Sequence, residues 1–203
     1  MYSFLILFLG AQPIITPNEG IKIVFETTRF ENGKTTTWET TIMKLGKKLR
    51  IEETFPDSKK EVAPQIGEVI IWDGKECWLF TPLGKPQQIP PIRNGLEFLG
   101  FKGKEARPQV EEKGVKWDID KANNVPLKKE TSLGTTEYKD YTIIEGFGYF
   151  PSVIEKYSEG NLDMRTVVKN IDEEAELRGE LFEPRKVLFS EKAKEEAKKY
   201  HFE

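Results

Sequence analysis

The acidic pairs are the first residues of this sequence that could do chemistry. Asp118 and Asp120 lie two residues apart in a stretch typical of a β-strand, so both carboxylates face one side, as the paired carboxylates of a hydrolase would. The alternate residues, Trp117 and Ile119, are typical of a buried face, so we expect both aspartates to point into water. Three further pairs have the pattern of solvated edges or turns: Glu52-Glu53, Glu111-Glu112 and Glu173-Glu174.

The sequence offers no base that could activate a serine or cysteine nucleophile within the predicted strands. The one histidine, His201, lies close to the C-terminal end, so the serines of the predicted strands have no base to activate them. Cys77 is the only cysteine, which excludes an intrachain disulfide and a cysteine-based zinc site. Its place in an apolar strand favours a small buried core residue. We therefore predict a protein that is not an enzyme and has no metal site and no cofactor; an enzyme that uses surface carboxylates remains an alternative.

Composition restricts the class of protein further. The chain has 203 residues, with 31 Lys and Arg against 34 Asp and Glu, for a net charge of −3. This length fits one domain with a single core. The near balance of charges supplies no basic excess to neutralise phosphates, so we expect no nucleic-acid partner.

The N-terminal residues have the pattern of an export signal. Residues 2–11 are almost entirely apolar and end in Gly10 and Ala11, the small residues expected at a cleavage site. This run is half of the ~20 residues that span a bilayer as a helix. We predict a signal peptide over residues 1–11 and a mature chain in the periplasm, or secreted, without a transmembrane segment. A buried first strand is the alternative.

The rest of the chain is dominated by strands. Ile21, Ile23 and Phe25 alternate with polar residues, and Asn32-Gly33 is a strong signal for a two-residue hairpin turn. The same alternation continues along the chain and predicts about ten antiparallel strands, without the βαβ pattern of a parallel sheet. So many strands must curl, split into two layers or close into a barrel. The predicted strands are 21–26, 34–44, 49–55, 68–72, 75–81, 114–120, 125–132, 136–145, 149–158 and 161–171.

Two segments interrupt or follow this pattern. Residues 82–108 contain four prolines in their first ten positions, so they predict a loop, and residues 92–101 within it predict a short helical lid. Residues 190–203 predict a charged C-terminal helix with Ser190 as its N-cap. The expected organisation is therefore a signal peptide, a β-barrel domain over residues 12–189 and a terminal helix.

Aromatic and aliphatic side chains recur on the alternating faces of the strands. They either fill a core or line a cavity, because barrels of about this size can hold one small apolar ligand. The mid-strand positions of Trp38, Trp78 and Phe80 predict that these side chains face the interior. The candidate ligand-binding residues are Phe25, Trp38, Ile42, Leu49, Ile51, Trp78 and Phe80 in the strands and Leu96, Phe98 and Leu99 in the lid.

Two stretches carry a family resemblance. Residues 70–82 form an apolar strand, an Asp73-Gly74-Lys75 turn and an aromatic strand that ends in Pro82. Residues 117–184 combine a strand pair, a strand that starts with Phe150-Pro151 and a closing Leu-Phe-x-x-Pro at 181–184. In order and spacing, these stretches resemble the LolA-like superfamily of outer-membrane lipoprotein-sorting proteins and lipoprotein carriers, and the resemblance covers roughly residues 21–185.

The resemblance implies a single half-open antiparallel β-barrel around an apolar cavity, with a helical lid, and the carriage of acyl chains through the periplasm. Three features differ from the family pattern. No helix-forming segment precedes Ile21, no Arg-Pro pair occurs near Leu45-Gly46, and the loop at 56–67 is longer and charged. The function expected is a carrier-like protein that holds a lipid, an acyl chain or a lipidated protein. The alternative is a non-catalytic envelope interaction or sensory domain with a filled barrel.

The predicted lid gives a first testable expectation. Residues 92–101 carry five large apolar side chains, and each one left exposed forgoes roughly 1.5–3 kcal/mol of burial. We therefore expect Leu96, Phe98 and Leu99 to cover the cavity and to be displaced by ligand. Hydrogen exchange of this segment should change when a long-chain fatty acid is added. Protection as high as that of the central strands, unchanged by the fatty acid, would contradict a lid.

Overall fold

The structure is a computed structural model that describes residues 19–56, 65–91, 114–123, 125–144 and 148–200. Within these residues the chain forms a β-rich domain that ends in a helix. The elements are β1 (Glu19–Glu31), β2 (Lys34–Leu45), β3 (Lys48–Thr54), β4 (Ile66–Trp72), β5 (Cys77–Phe80), β6 (Gln87–Ile89), β7 (Lys116–Asp120), β8 (Val125–Thr131), β9 (Gly134–Ile144), β10 (Gly148–Ser158), β11 (Asn161–Glu176), two 3-10 turns (Gly179–Phe182 and Pro184–Lys186) and α1 (Glu191–Tyr200).

All eleven strands belong to one antiparallel sheet with the order β6-β5-β4-β3-β2-β1-β11-β10-β9-β8-β7. The edge strands β6 and β7 do not pair with each other in the described part of the chain, so the sheet stays open. Trp38 of β2 and Thr131 of β8 are five strands apart, or ~24 Å in a flat sheet, yet they line the same cavity. The sheet is therefore curled, and the fold is a half-open antiparallel β-barrel, as predicted.

Hairpin turns set the register of the long strands. Asn32 and Gly33 both have positive φ, 50° and 75°, as a type I′ turn requires, and they join the paired residues Glu31 and Lys34. The β10–β11 turn repeats this geometry at Glu159-Gly160. Together with the β8–β9 turn, these hairpins lie at one end of the sheet, which we call the hairpin end. The turn predicted from Asn32-Gly33 is confirmed.

The Pro-rich stretch contains a strand that the sequence pattern missed. Residues Gln87–Ile89 form β6 and pair with β5, whereas the sequence predicts a loop over the whole of 82–108. Pro86 and Pro90 flank this strand, and prolines are tolerated there because a short edge strand leaves one row of its amide groups unpaired in any case. The predicted helical lid at 92–101 lies outside the described residues.

The concave face of the sheet buries the main core, and its residues come from strands of both halves of the sheet. The rings of Phe25 and Phe150, on strands separated by β11, lie 5.5 Å apart between centroids. Partly buried Ile89 and Trp117, from the two edge strands, pack against the same cluster. The buried members are Ile23, Phe25, Ile42, Leu49, Ile51, Ile70, Cys77, Tyr138, Ile144, Phe150 and Ile154.

The C-terminal segment covers part of the convex face. After β11, Phe182 packs with Met43 and Leu177, and Phe189 packs against Ile71 further along the sheet. Helix α1 then places Ala193 and Ala197 on Phe55 at the end of β3. No helix in the described residues is long and apolar enough to cross a membrane.

The start of α1 matches the sequence prediction. The Ser190 hydroxyl accepts a hydrogen bond from the backbone N–H of Ala193 at 3.0 Å, which is the geometry of an N-cap. The same hydroxyl donates to Oε1 of Gln65 at 2.6 Å, next to β4. The cap therefore stabilises the helix and also ties it to the sheet.

This packing predicts a large difference between two residues of the same segment. Phe182 is 1% exposed, and Phe182→Ala should lower the free energy of unfolding by about 3 kcal/mol because it leaves a cavity against the convex face. Leu188 is 91% exposed, and Leu188→Ala should change it by less than about 0.5 kcal/mol. Urea denaturation of both variants measures the difference. If Phe182→Ala lowered the free energy of unfolding as little as Leu188→Ala, the segment would not contribute to the core.

Candidate ligand-binding site

A large cavity opens on the concave face at the hairpin end. Its volume is about 940 Å3, within the range of about 300–1,000 Å3 usual for small-molecule sites. At its rim, Gly134 has a φ of 144°, and a Cβ there would overlap the carbonyl oxygen of Tyr157, so β9 and β10 approach closely only because this residue is glycine. The lining residues are Arg29, Phe30, Glu31, Trp38, Lys129, Thr131, Leu133, Gly134, Thr135, Thr136, Tyr138, Lys156, Tyr157, Ser158, Asp163 and Met164.

Two smaller cavities of about 230 Å3 adjoin the large one and share residues with it. One lies between Phe25, Ile154 and Met164 and leads toward the core. The other runs along β2 to β4 and reaches Phe55. Trp38 lines all three cavities, which makes its ring the central wall of the site.

The structure brings five of the predicted residues to the concave face. Trp38 lines the cavities, and Phe25 stands where the cavity meets the core. Ile42, Leu49 and Ile51 are at most 2% exposed and belong to the core beyond the cavity. Their common orientation follows from the register, because β1, β2 and β3 pair without a slip at Phe25, Thr40 and Ile42.

Trp78 and Phe80 lie on the opposite face of the sheet. In β5 the inward positions belong to Cys77 and Leu79, which pack in the concave core, whereas Trp78 and Phe80 pack with Val69 and Ile71 under the C-terminal segment. The prediction that Trp78 and Phe80 face the interior is therefore wrong. The strand has only four residues, and all four are apolar. Its sequence therefore has no polar–apolar alternation that would show which side chains face inward. The lid residues Leu96, Phe98 and Leu99 lie outside the described residues.

Several cavity residues were not identified from the sequence. Tyr138 and Met164 line the large cavity. Thr27 and Thr166 line the smaller cavity that leads toward the core, and their hydroxyls hydrogen-bond to each other at 3.0 Å. Burial raises the pKa of Tyr138 to about 12, so its phenol stays protonated. Alternation places these side chains on the inner face, but only the curl of the sheet brings β9 and β11 opposite Trp38.

A pair of carboxyl groups stands on the cavity wall. Glu53 of β3 and Glu68 of β4 are direct cross-strand neighbours, and both line the cavity that reaches Phe55. Burial raises the pKa of Glu53 to about 7, and the negative charge of Glu68 contributes to the rise. Burial also raises the pKa of Glu68. At neutral pH this wall therefore carries less negative charge than two carboxylates would in water.

The other acidic pair has a structural role. Asp118 is exposed, and Asp120 accepts hydrogen bonds from the backbone N–H of Ala122 at 2.9 Å and from Nδ2 of Asn123 at 2.8 Å. These bonds, the backbone one first, lower the pKa of Asp120. The carboxylate thus stabilises the β7–β8 turn. Among the described residues, no three His, Cys, Asp or Glu side chains group together as metal ligands.

Solved structures with this arrangement of strands are known. An outer membrane lipoprotein-sorting protein domain from Vibrio parahaemolyticus matches with a TM-score of 0.53 at 13% identity, over 82% of this chain and 90% of that one. The chain has a LolA-like fold. A DUF1329 family protein from Desulfovibrio piger matches with a TM-score of 0.52 at 11% identity, over 84% and 92% of the two chains. No family model and no curated protein matches the sequence.

The burial of Glu53 beside Glu68 can be tested through its effect on stability. Glu53→Gln should raise the free energy of unfolding at pH 8 by about 1–3 kcal/mol and change it little at pH 4. The reason is that a carboxyl whose pKa rises from 4.5 to about 7 on folding destabilises the folded state once it ionises. The free energy of unfolding of the wild type should accordingly fall by the same amount, relative to Glu53→Gln, as the pH rises from about 4.5 past about 7.

The matched control for this prediction is Glu174→Gln, which removes the same charge from an exposed position of β11. Urea denaturation at several pH values measures all three proteins. A difference between Glu53→Gln and the wild type that does not vary with pH would contradict the assignment of the shifted group to Glu53.

Proposed function

We propose that this LolA-like protein is a non-enzymatic envelope carrier that holds an acyl chain, either of a lipid or of a lipidated protein, in the cavity at its hairpin end. The observation that carries the proposal is the concave face itself, with a filled apolar core at one end and an open cavity of about 940 Å3 at the other. The likeness to a lipoprotein-sorting domain supports the same class of ligand. A periplasmic or secreted location is part of this proposal and agrees with the apolar N-terminal run.

Binding would be driven by the transfer of methylene groups from water to the cavity wall, at about 0.8 kcal/mol for each group buried. The chain would lie along the ring of Trp38 and end against Phe25, beyond which Ile42, Leu49 and Ile51 close the path. No catalytic group is required, since the ligand is carried and released unchanged.

A second candidate function has an observation of its own. Eleven buried residues already fill the inner half of the barrel, and a domain of this kind can act through its surface alone. In that case the protein would be an envelope interaction or sensory domain, with another envelope protein as its partner. The two candidates differ in one measurable property, which is the binding of an acyl chain at the hairpin end.

Two tryptophans on opposite faces of the sheet provide the test. Trp38→Ala should weaken the binding of palmitate by about tenfold or more, because it removes the largest apolar wall of the cavity. Trp78→Ala should lower the melting temperature, since it opens the convex-face cluster, and leave palmitate binding unchanged. Displacement of an apolar fluorescent probe by palmitate measures binding, and thermal unfolding measures stability.

The outcomes separate the candidates. Loss of binding in Trp38→Ala alone supports a carrier with its site at the hairpin end. Failure of the wild-type protein to bind either palmitate or a triacylated lipopeptide would overturn the carrier and favour the interaction domain. Tighter binding of the lipopeptide than of palmitate would identify lipidated proteins as the cargo.

A further inference from the structure

A row of polar and basic side chains crosses the wall of the large cavity. The strand register pairs Lys129 of β8 with Thr136 of β9, and Thr136 with Lys156 of β10. Neighbouring strands are ~4.8 Å apart, so the backbones that carry the two lysines are separated by only ~10 Å, with a threonine hydroxyl between them. All three side chains line the cavity. We call Lys129, Thr136 and Lys156 the lysine row.

The row continues onto the other wall of the cavity. Lys156 pairs with Met164, and Met164 pairs with Arg29 of β1, so a third cation stands at the same level of the curled sheet. Arg29 also lines the large cavity. The guanidinium of Arg29 lies 3.9 Å from the carboxylate of Glu31, and both side chains are well exposed at the hairpin tip. The cavity mouth is thus faced by three cationic side chains from three different strands.

The two lysines are close enough to affect each other. Burial lowers the pKa of Lys156, and the positive charge of Lys129 lowers it further. The ammonium group of Lys129 also lies 5.1 Å from the centre of the Trp117 ring, which holds it on the inner face. Within the described residues, no carboxylate lies within ion-pair distance of Lys156. Two like charges on one wall repel each other, and an anion between them removes that repulsion.

Two carboxylates, Glu31 and Asp163, line the same cavity, and neither lies within ion-pair distance of Lys156. Asp163 is engaged by the hydroxyl of Ser158, and Glu31 by Arg29. Glu53 and Glu68 stand on β3 and β4, one step deeper than Trp38. The mouth therefore carries three cationic side chains against two carboxylates, whereas the inner wall carries a partly protonated carboxyl pair.

From this arrangement we infer that the lysine row binds the anionic headgroup of a single-chain amphiphile, a carboxylate or a phosphate, while the chain lies along Trp38 and Met164. The inference rests on the proposed carrier function and narrows its ligand to anionic amphiphiles. Charged groups of opposite sign form stronger hydrogen bonds than neutral ones, and the Thr136 hydroxyl can donate a third. A neutral headgroup on the same chain would lack these contacts.

Palmitate and its neutral glycerol monoester, monopalmitin, test the inference because they carry the same chain. Wild-type protein should bind palmitate about tenfold more tightly than monopalmitin. Lys156→Gln should lose about tenfold in palmitate affinity and keep its affinity for monopalmitin, which also shows that the variant is folded. Lys156→Arg should retain palmitate binding. Isothermal titration calorimetry measures each pair.

Lys116→Gln is the matched control, since Lys116 is exposed and neighbours Trp117 on the opposite face of β7. It should bind both ligands as the wild type does. Equal affinity of the wild type for palmitate and monopalmitin, or an unchanged preference in Lys156→Gln, would overturn the headgroup site and leave the carrier function standing. Binding of neither ligand would overturn both. Inorganic phosphate that binds as tightly as palmitate would show that the acyl chain contributes nothing, and would overturn the amphiphile in favour of a free anion.

Discussion

An antiparallel sheet of eleven strands can bury its inner face only by curling, because in the described residues no second layer covers that face. The curl depends on side chains that alternate without a slip along β1, β2 and β3, since a shift of one residue would turn the apolar row outward. Phe25 and Ile42 are inward members of that row, and each is at most 1% exposed. Both the core and the cavity follow from this one constraint.

The two halves of the convex face are stabilised in different ways. Over β2 to β5, apolar residues such as Met43 and Ile71 are covered by the C-terminal segment. Over β9 to β11, Glu155 is held by Lys139 at 2.7 Å and Arg165 at 3.3 Å, and the Lys139 hydrogen bond in particular lowers the pKa of Glu155. One half of the convex face is therefore covered by apolar packing, and the other carries ion pairs.

The cavity differs from the core in polarity as well as in packing. Toward the hairpin end the inner rows change from Ile23 and Phe25 to Thr27 and then Arg29, so the wall can remain in contact with water when it is empty. The Thr27–Thr166 hydrogen bond satisfies the hydroxyls where apolar and polar walls meet. This gradient matches an amphiphile better than a wholly apolar ligand, because a chain and a headgroup require opposite surroundings.

The amino-acid sequence by itself determined the strand-rich class, the tight turn at Asn32-Gly33, the N-cap at Ser190 and the inward direction of Phe25 and Trp38, since alternation and turn chemistry are local. It did not determine the direction of Trp78, because β5 is short and apolar on both faces, nor the edge strand between Pro86 and Pro90, because edge position is a property of the whole sheet. The site itself was decided only by tertiary structure. The residues of the lysine row are brought opposite Trp38 by the curl of strands that are distant in sequence, and no local pattern encodes which rows a curled sheet brings together.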